Sequence, residues 1–390
     1  MMKPVFLSYS RKDLDDVHEI AKLLTASGIR IWQDIKSLGS GNTEEQIKDA
    51  IREQCSAQLL FATPNSINSD FIKKIELTEA YQRSKNDPSF KIVPLFNVPF
   101  DEANKAFSGA LHGDLSRYNG AIVRPENPLH SASCEVRKIL LKNLISHHLD
   151  KDFYITLTTW QRSHGAIEYD LELDWSLLNY REELFSQNFW EKYIRLALFN
   201  IKDIMLELGI IKIRVFSKAH LTAGFTFGFI FRPVTGFEMH IQQGDEWWST
   251  TSPEIADPNI NISVDSGSIE STDLAVILSV SRDVEMKFGE YLKNHDRRFR
   301  AILCCKPTMG ASQTAIPDAA TASAMAKKIG DAIRDTLTQY DLSDVHIFAA
   351  IPLGLSFLIG AQLNACGNIH LYEYDKSTTY SPSWIINGMD

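Results

Sequence analysis

No uncharged apolar run in the 390-residue sequence is long enough to cross a membrane as a helix. The longest, Ala349 to Leu363, is broken by Pro352 and Gly354 and reads as strand, turn and buried helix. Cysteine is scarce. Cys55, Cys134, Cys304, Cys305 and Cys366 are odd in number and show no C-x-x-C spacing. That excludes a disulfide framework and a cysteine zinc site, and points to reduced thiols in a cytoplasmic protein with no metal. There is no secretory start, because "KPVFLSYS" is already strand-like within a few residues. A basic excess is missing too. The net charge of −9 disfavours long nucleic acid, which needs a large basic surface. A small phosphorylated ligand in a local pocket stays compatible with it. Neither a P-loop nor a G-x-G-x-x-G fingerprint is present, and "GSG" at Gly39 to Gly41 is too short to serve as one.

What is present is ordinary globular material, 44% apolar and 23% charged, in a length that suits two or three domains. The first 125 or so residues alternate strand and helix signals. "PVFLSY", "IRIWQD", "QLLFAT" and "FKIVPLF" read as strands. "LDDVHEIAKLLTASG" repeats apolar residues at helical spacing and stops on Gly28, and "EQIKDAIREQCSA" and "NSDFIKKIELTEA" also read as helices. Such alternation predicts a parallel sheet with helices on both faces. Residues 101–149 are less regular and hold Pro125 and Pro128, so 126–150 reads as a connecting segment between a domain at 1–125 and another at 151–390.

Ligands of parallel α/β sheets sit beyond the carboxyl ends of the strands. Three loops should meet there. "SYSRKD" brings Ser8, Tyr9, Ser10 and Arg11; "WQDIKSLGSG" brings Trp32, Asp34 and Lys36; "TPNSINSDF" leads through Phe71 into the helix that carries Glu76.

The region from Lys151 holds a degenerate internal repeat. One copy starts at Ile211 and the other at Val345, each reading strand, turn, apolar helix, turn, strand. Phe216 aligns with Phe348, Leu221 with Leu353, Phe225 with Phe357 and Gly228 with Gly360. Two copies suit a pair of fused Rossmann-like halves; a solenoid needs at least three.

"VFLSYSRKD", "GIRIWQDIKSLGSG" and "SDFIKKIEL" in this order resemble the TIR domain family, a flavodoxin-like α/β fold, over about residues 1–125. Enzymatic members cleave NAD between nicotinamide and ribose with a glutamate on the helix after the third strand. Glu76 is the residue that matches, with Glu79 one turn further on as the weaker choice. Its spacing from Phe71 is five, where many relatives show four after a tryptophan. The chemistry needs only one carboxylate. Nicotinamide departs from a cationic pyridinium as a neutral molecule, so no general acid is required, unlike in ordinary glycosides. A fixed carboxylate beside the ribose stabilises the oxocarbenium-like centre. The resemblance assigns substrate contacts to Tyr9, Ser10, Arg11, Trp32, Asp34, Lys36 and Phe71, with NAD as substrate and no cofactor.

"IRVFSKAHLTAGFTFG", "AVILSVSRDVEMKF" and "VHIFAAIPLGLSFLIGAQL" make residues 151–390 resemble the SAVED domain, a sensor of cyclic oligonucleotides built from two CARF-like halves. Turns at helix N-termini suit phosphate, which singles out Ser217, Lys218 and His220 on one turn, Ser281 and Arg282 on another, and Lys306 at a strand end. Trp247, Trp248, Tyr380 and Trp384 follow the last strands of each half and are candidates to stack on bases. The order of domains resembles the TIR-SAVED effectors of CBASS antiphage systems. That implies an activating cyclic oligonucleotide, cyclic tri-adenylate first and a cyclic dinucleotide or tetranucleotide as alternatives. It also implies self-association into an oligomer or filament, and no membrane partner. A non-enzymatic TIR scaffold, or an enzyme that cyclises or exchanges bases on NAD, are the rival readings.

Overall fold

The computed structural model of the protein describes residues 3–33, 42–146, 152–160, 168–178, 186–252, 257–375 and 379–388. The chain divides into two units. The first comprises Met1–Lys151, Ala166–Leu178 and Phe199–Gly209; the second comprises Asp152–Gly165, Asn179–Leu198 and Ile210–Asp390. Among the described residues no helix is long and apolar enough to cross a membrane.

In the first unit, β1 (Val5–Ser8), β2 (Ile31–Trp32), β3 (Ala57–Ala62), β4 (Lys91–Phe96) and β5 (Ala121–Ile122) form a sheet in the order β2-β1-β3-β4-β5. Every pairing is parallel, the flavodoxin-like arrangement. β1 and β3 are buried along their whole length, which is why they read as continuous apolar runs with little alternation. Helix α1 (Leu14–Ala26) ends where the sequence says it should. Gly28 adopts φ +79°, and its N–H donates to Thr25 O at 3.0 Å. One core layer joins Phe6, Leu60, Ile92 and Phe96 of the strands to Ile47 of α2 (Thr43–Asp49) and to Ile72 and Leu77.

The helix carrying Glu76 is not uniform. Ile72–Glu76 forms a π turn, and only then does α3 (Leu77–Asn86) begin. α4 (Phe100–Phe107) follows β4. The expected connecting segment holds a 17-residue helix, α5 (Leu129–Ile145), whose apolar stripe includes Val136, Leu140, Leu141 and Leu144, all buried. Pro128 stands just ahead of it, where its missing N–H costs nothing. The proline that suggested a linker is a helix start.

In the second unit, β6 (Phe153–Thr158), β8 (Lys212–Lys218), β9 (Glu238–Gln243) and β10 (Glu246–Ser249) run in the order β10-β9-β8-β6. β7 (Leu171–Asp174) belongs to the first unit, and α6 (Leu196–Glu207) precedes β8. Then come α7 (Leu221–Ile230), β11 (Ile260–Ser266), β12 (Asp273–Ser279), α8 (Glu285–His295), β13 (Ala301–Pro307), α9 (Ala319–Tyr340), β14 (Asp344–Ala350), α10 (Leu353–Gln362), β15 (Asn368–Asp375) and β16 (Thr379–Ile386). Their sheet has the order β11-β13-β12-β14-β15-β16. In both sheets a parallel trio (β6, β8, β9; β12, β14, β15) carries an antiparallel edge strand (β10; β16). The repeat is therefore structural, with β8, α7, β9 and β10 answering β14, α10, β15 and β16.

α7 and α10 are apolar almost all round, as a helix buried on every side must be. They approach so closely that a methyl group on Gly228 would lie 2.0 Å from Phe357 O, and one on Gly360 would lie 2.2 Å from Phe225 O. These two contacts are images of each other under the repeat register.

Candidate functional site

The first candidate site lies beyond the carboxyl ends of β1 and β3. Glu76 is buried at 7% exposure, and its Oε2 accepts a hydrogen bond from Ser8 Oγ. Ser8 is the last residue of β1 and fully buried. The π turn explains the five-residue spacing. A π turn closes i to i+5, so Phe71, its cap, precedes Glu76 by one turn of the same helix. Phe71 is 38% exposed and so presents a large apolar surface to solvent. The loop after β3 is fixed to the turn after β1: Thr63 Oγ1 donates to Asp13 Oδ2 at 2.6 Å and Asn65 Nδ2 to Asp13 Oδ1 at 2.5 Å. Ser66 Oγ accepts from Thr63 N–H at 2.7 Å.

The other expected residues fall into different environments. Ser10 caps the short turn Arg11–Asp13, accepting from Lys12 N–H at 3.4 Å. Tyr9 is buried and Arg11 is exposed at the same strand end. Trp32 is buried, with its ring stacked on Phe6 at 5.0 Å between centroids, so that this face is spent on the core. Asp34 and Lys36 lie outside the described residues. Glu79 is held by Arg52, whose Nε and Nη2 donate to its two oxygens at 2.8 and 2.9 Å. Thus Glu76 accepts from the Ser8 hydroxyl, while Glu79 sits in a bidentate pair with Arg52. Sequence reasoning placed Ser8 in the right loop without giving it a role; the signal was a small polar residue closing an otherwise apolar strand.

Cysteine chemistry has little support here. All five thiols are free, and burial pushes Cys55 up to about 12 and Cys304 and Cys366 up to about 11. Among the described residues no group of three or more His, Cys, Asp or Glu side chains is placed to hold a metal.

The second candidate site is a pocket of about 620 Å³ in the second unit, a size typical of small-molecule sites. The β14–α10 turn forms its floor. The turn after β12 adds Ser281 and Arg282, and the β9–β10 hairpin adds Gln243, Glu246 and Trp248. Arg282 is exposed and makes no ion pair among the described residues. The structure thus brings Ser281 and Arg282 together.

At the corresponding place in the other half, Ser217 and Lys218 close β8, and of the three expected turn residues only His220, the cap of α7, stands beyond the strand. Ser217 Oγ donates to Leu157 O at 3.1 Å, His220 N–H donates to Thr159 Oγ1 at 2.9 Å, and the His220 ring stacks on Trp160 at 3.9 Å. Lys218 is exposed. Lys306 pairs with Asp283, which its hydrogen bond holds below the usual carboxylate range, and Glu285 lies 3.8 Å away.

The aromatics divide by the alternation of strand faces. Trp248 lines the pocket, whereas its neighbour Trp247 packs edge-on against Phe216 at 5.2 Å. Tyr380 is buried with its OH donating to Ala349 O at 3.4 Å, and Trp384 is fully buried against Trp190 at 5.1 Å.

The fold is thus a parallel flavodoxin-like domain joined to a duplicated α/β domain with an open, polar-lined pocket. The family models agree: "TIR domain" matches residues 5–122, and SAVED, the "SMODS-associated and fused to various effectors sensor domain", matches residues 203–386. The chain carries a TIR domain followed by a SAVED domain.

Over part of its length the chain is similar to a curated relative. CD-NTase-associated protein 4 of Enterobacter hormaechei subsp. hoffmannii (strain UCI 50) is 25% identical over 181 residues. That match takes in 44% of this chain and spans only 36% of the relative's length. Two structures of the Acinetobacter baumannii Cap4 SAVED/CARF-domain containing receptor share the fold. One contains 3'3'3'-cAAA (TM-score 0.52) and the other 2'3'3'-cAAA (TM-score 0.53). Each is 13% identical and covers 96% of this chain and 98% of that one.

Proposed function

We propose that this protein is a sensor-gated NAD glycohydrolase. A cyclic oligonucleotide, cyclic tri-adenylate in first place, binds the SAVED pocket, and the TIR domain then cleaves NAD to nicotinamide and ADP-ribose. The observation that carries the reading is Glu76, buried and hydrogen-bonded to Ser8 at the strand ends where ligands of this fold bind. A buried carboxylate held by a hydrogen bond keeps its oxygen lone pairs aimed in a fixed direction. There it opposes the positive charge that develops on the ribosyl carbon as neutral nicotinamide leaves. Phe71, exposed one π turn earlier, offers an apolar face for the nicotinamide ring.

On the sensor side, Arg282 and the α10 N-terminus suit phosphate, and Trp248 and the amide of Gln313 suit bases. The cyclic trinucleotides held by the two Acinetobacter structures support a ring of this size.

The test measures NAD loss on adding cyclic tri-adenylate, or cyclic di- and tetranucleotides as a panel. Glu76→Gln should bind ligand normally and lose about 10²–10³ in rate, while Glu79→Gln stays active. Arg282→Glu should need far more ligand for half-activation while keeping the TIR site intact. An active Glu76→Gln beside a dead Glu79→Gln would overturn the assignment, and a wild type that binds ligand without consuming NAD would favour a scaffold. Product analysis separates hydrolysis from cyclisation or base exchange.

A further inference from the structure

Each central helix of the SAVED domain is capped by a side chain from the opposite half. Gly354, in the first turn of α10, donates its N–H to Gln243 Oε1 at 2.8 Å. Thr222, at the equivalent position of α7, donates its N–H to Glu373 Oε1 at 2.8 Å. Gln243 is the last residue of β9, and Glu373 lies near the end of β15, the strand that answers β9 in the repeat. The two caps therefore share strand, target and distance. They differ in charge.

That difference decides what each helix end offers. A helix N-terminus carries a partial positive charge and favours an anion. At α7 the chain supplies the anion itself, through Glu373. At α10 the neutral amide of Gln243 satisfies one N–H and leaves the end uncompensated. The open pocket and Arg282 lie at the α10 end. A phosphate arriving there meets the α10 N-terminus and the Arg282 guanidinium, with Glu246 as the one carboxylate in the pocket lining among the described residues. At the α7 end it would meet a carboxylate already in place.

Resting on the pocket's assignment as the ligand site, we infer that Gln243 and Glu373 make this duplicated sensor single-sited: the amide keeps the α10 end open to a ligand phosphate, and the carboxylate closes the α7 end. Gln243 is thus a specificity-determining residue for anionic ligands. Burial pushes the Glu373 carboxyl up to about 7, so the charge is fully present only at alkaline pH.

Calorimetric titration of the full chain with cyclic tri-adenylate at about pH 8 tests this. The wild type should bind one ligand per chain. Gln243→Glu, nearly isosteric, should bind on the order of 100-fold more weakly because like charges oppose at close range. Gln243→Met, which drops the cap without adding charge, should stay within about fivefold of the wild type. Glu373→Gln keeps the cap on Thr222 and removes its charge, so it should leave the first affinity unchanged and admit a second, weaker ligand per chain; this holds as an independent check if a Gln243 variant melts early. Gln243→Glu binding as well as Gln243→Met, two ligands per wild-type chain, or a single ligand per chain in Glu373→Gln would each overturn the inference. Arg282→Glu separates the two levels. If it weakens binding and Gln243→Glu does not, the pocket stands and the charge argument falls. If neither weakens binding, the pocket assignment itself falls.

Discussion

The chemistry open to a carboxylate is set by its surroundings, and one helix here carries two in different surroundings. Glu79 is locked to Arg52 near the surface, while Glu76 is buried against Ser8 three positions earlier. Ser8→Ala removes the donor that orients Glu76 and leaves the strand intact. It should lower kcat for NAD cleavage roughly tenfold with KM little changed, since a positioning hydrogen bond contributes about 1–1.5 kcal/mol. Steady-state kinetics with saturating ligand checks it; unchanged kcat would mean that packing alone places Glu76. The position of Glu76 on the helical segment after the third strand was legible because the motif around it is. The aromatics were not. A tryptophan after a strand looks the same whether it stacks on a base or on Phe6, as Trp32 does, or on Trp190, as Trp384 does. Only the packing of the whole sheet decides.

Elements were more legible than single residues where a physical period marks them. The apolar runs gave the buried strands, and the repeat register gave the two helices that cross at the centre of the sensor. Gly228→Ala should destabilise the SAVED domain by about 1–3 kcal/mol, because the new methyl group meets backbone at 2.0 Å and neither helix can retreat without losing the other reciprocal contact. Chemical denaturation measures it; a neutral result would show that the helices slide freely.

The strand-to-helix cap at Glu373 predicts a pH dependence. Its folded value of about 7 lies above the unfolded value near 4.3. The stability it contributes is full below about pH 4.3 and is lost as pH rises through about 7. Wild-type melting temperature should therefore fall more steeply between those limits than that of Glu373→Gln; parallel curves would count against the shift. The π turn and the proline-led α5 escaped the sequence reading for local reasons. A π turn changes hydrogen-bond register without changing composition, and a proline marks a helix start as readily as a loop.

For the whole molecule, the central claim is that ligand binding in one domain releases chemistry in the other. On the proposed reading, constitutive NAD loss would be lethal to a cell, so the TIR site would be held inactive until ligand binds. Assembly of ligand-bound chains into a ring or filament is the proposed means, by heterologous contacts between neighbouring TIR domains. The loop Ile35 to Thr43, expected to rearrange there, lies mostly outside the described residues. The most direct test is a time course of nicotinamide release from NAD by the full-length chain, with and without cyclic tri-adenylate, over a range of protein concentrations. The account predicts negligible release without ligand, and with ligand a rate that rises more steeply than protein concentration. Equal nicotinamide release with and without every cyclic oligonucleotide tried, or none under any condition, would contradict it.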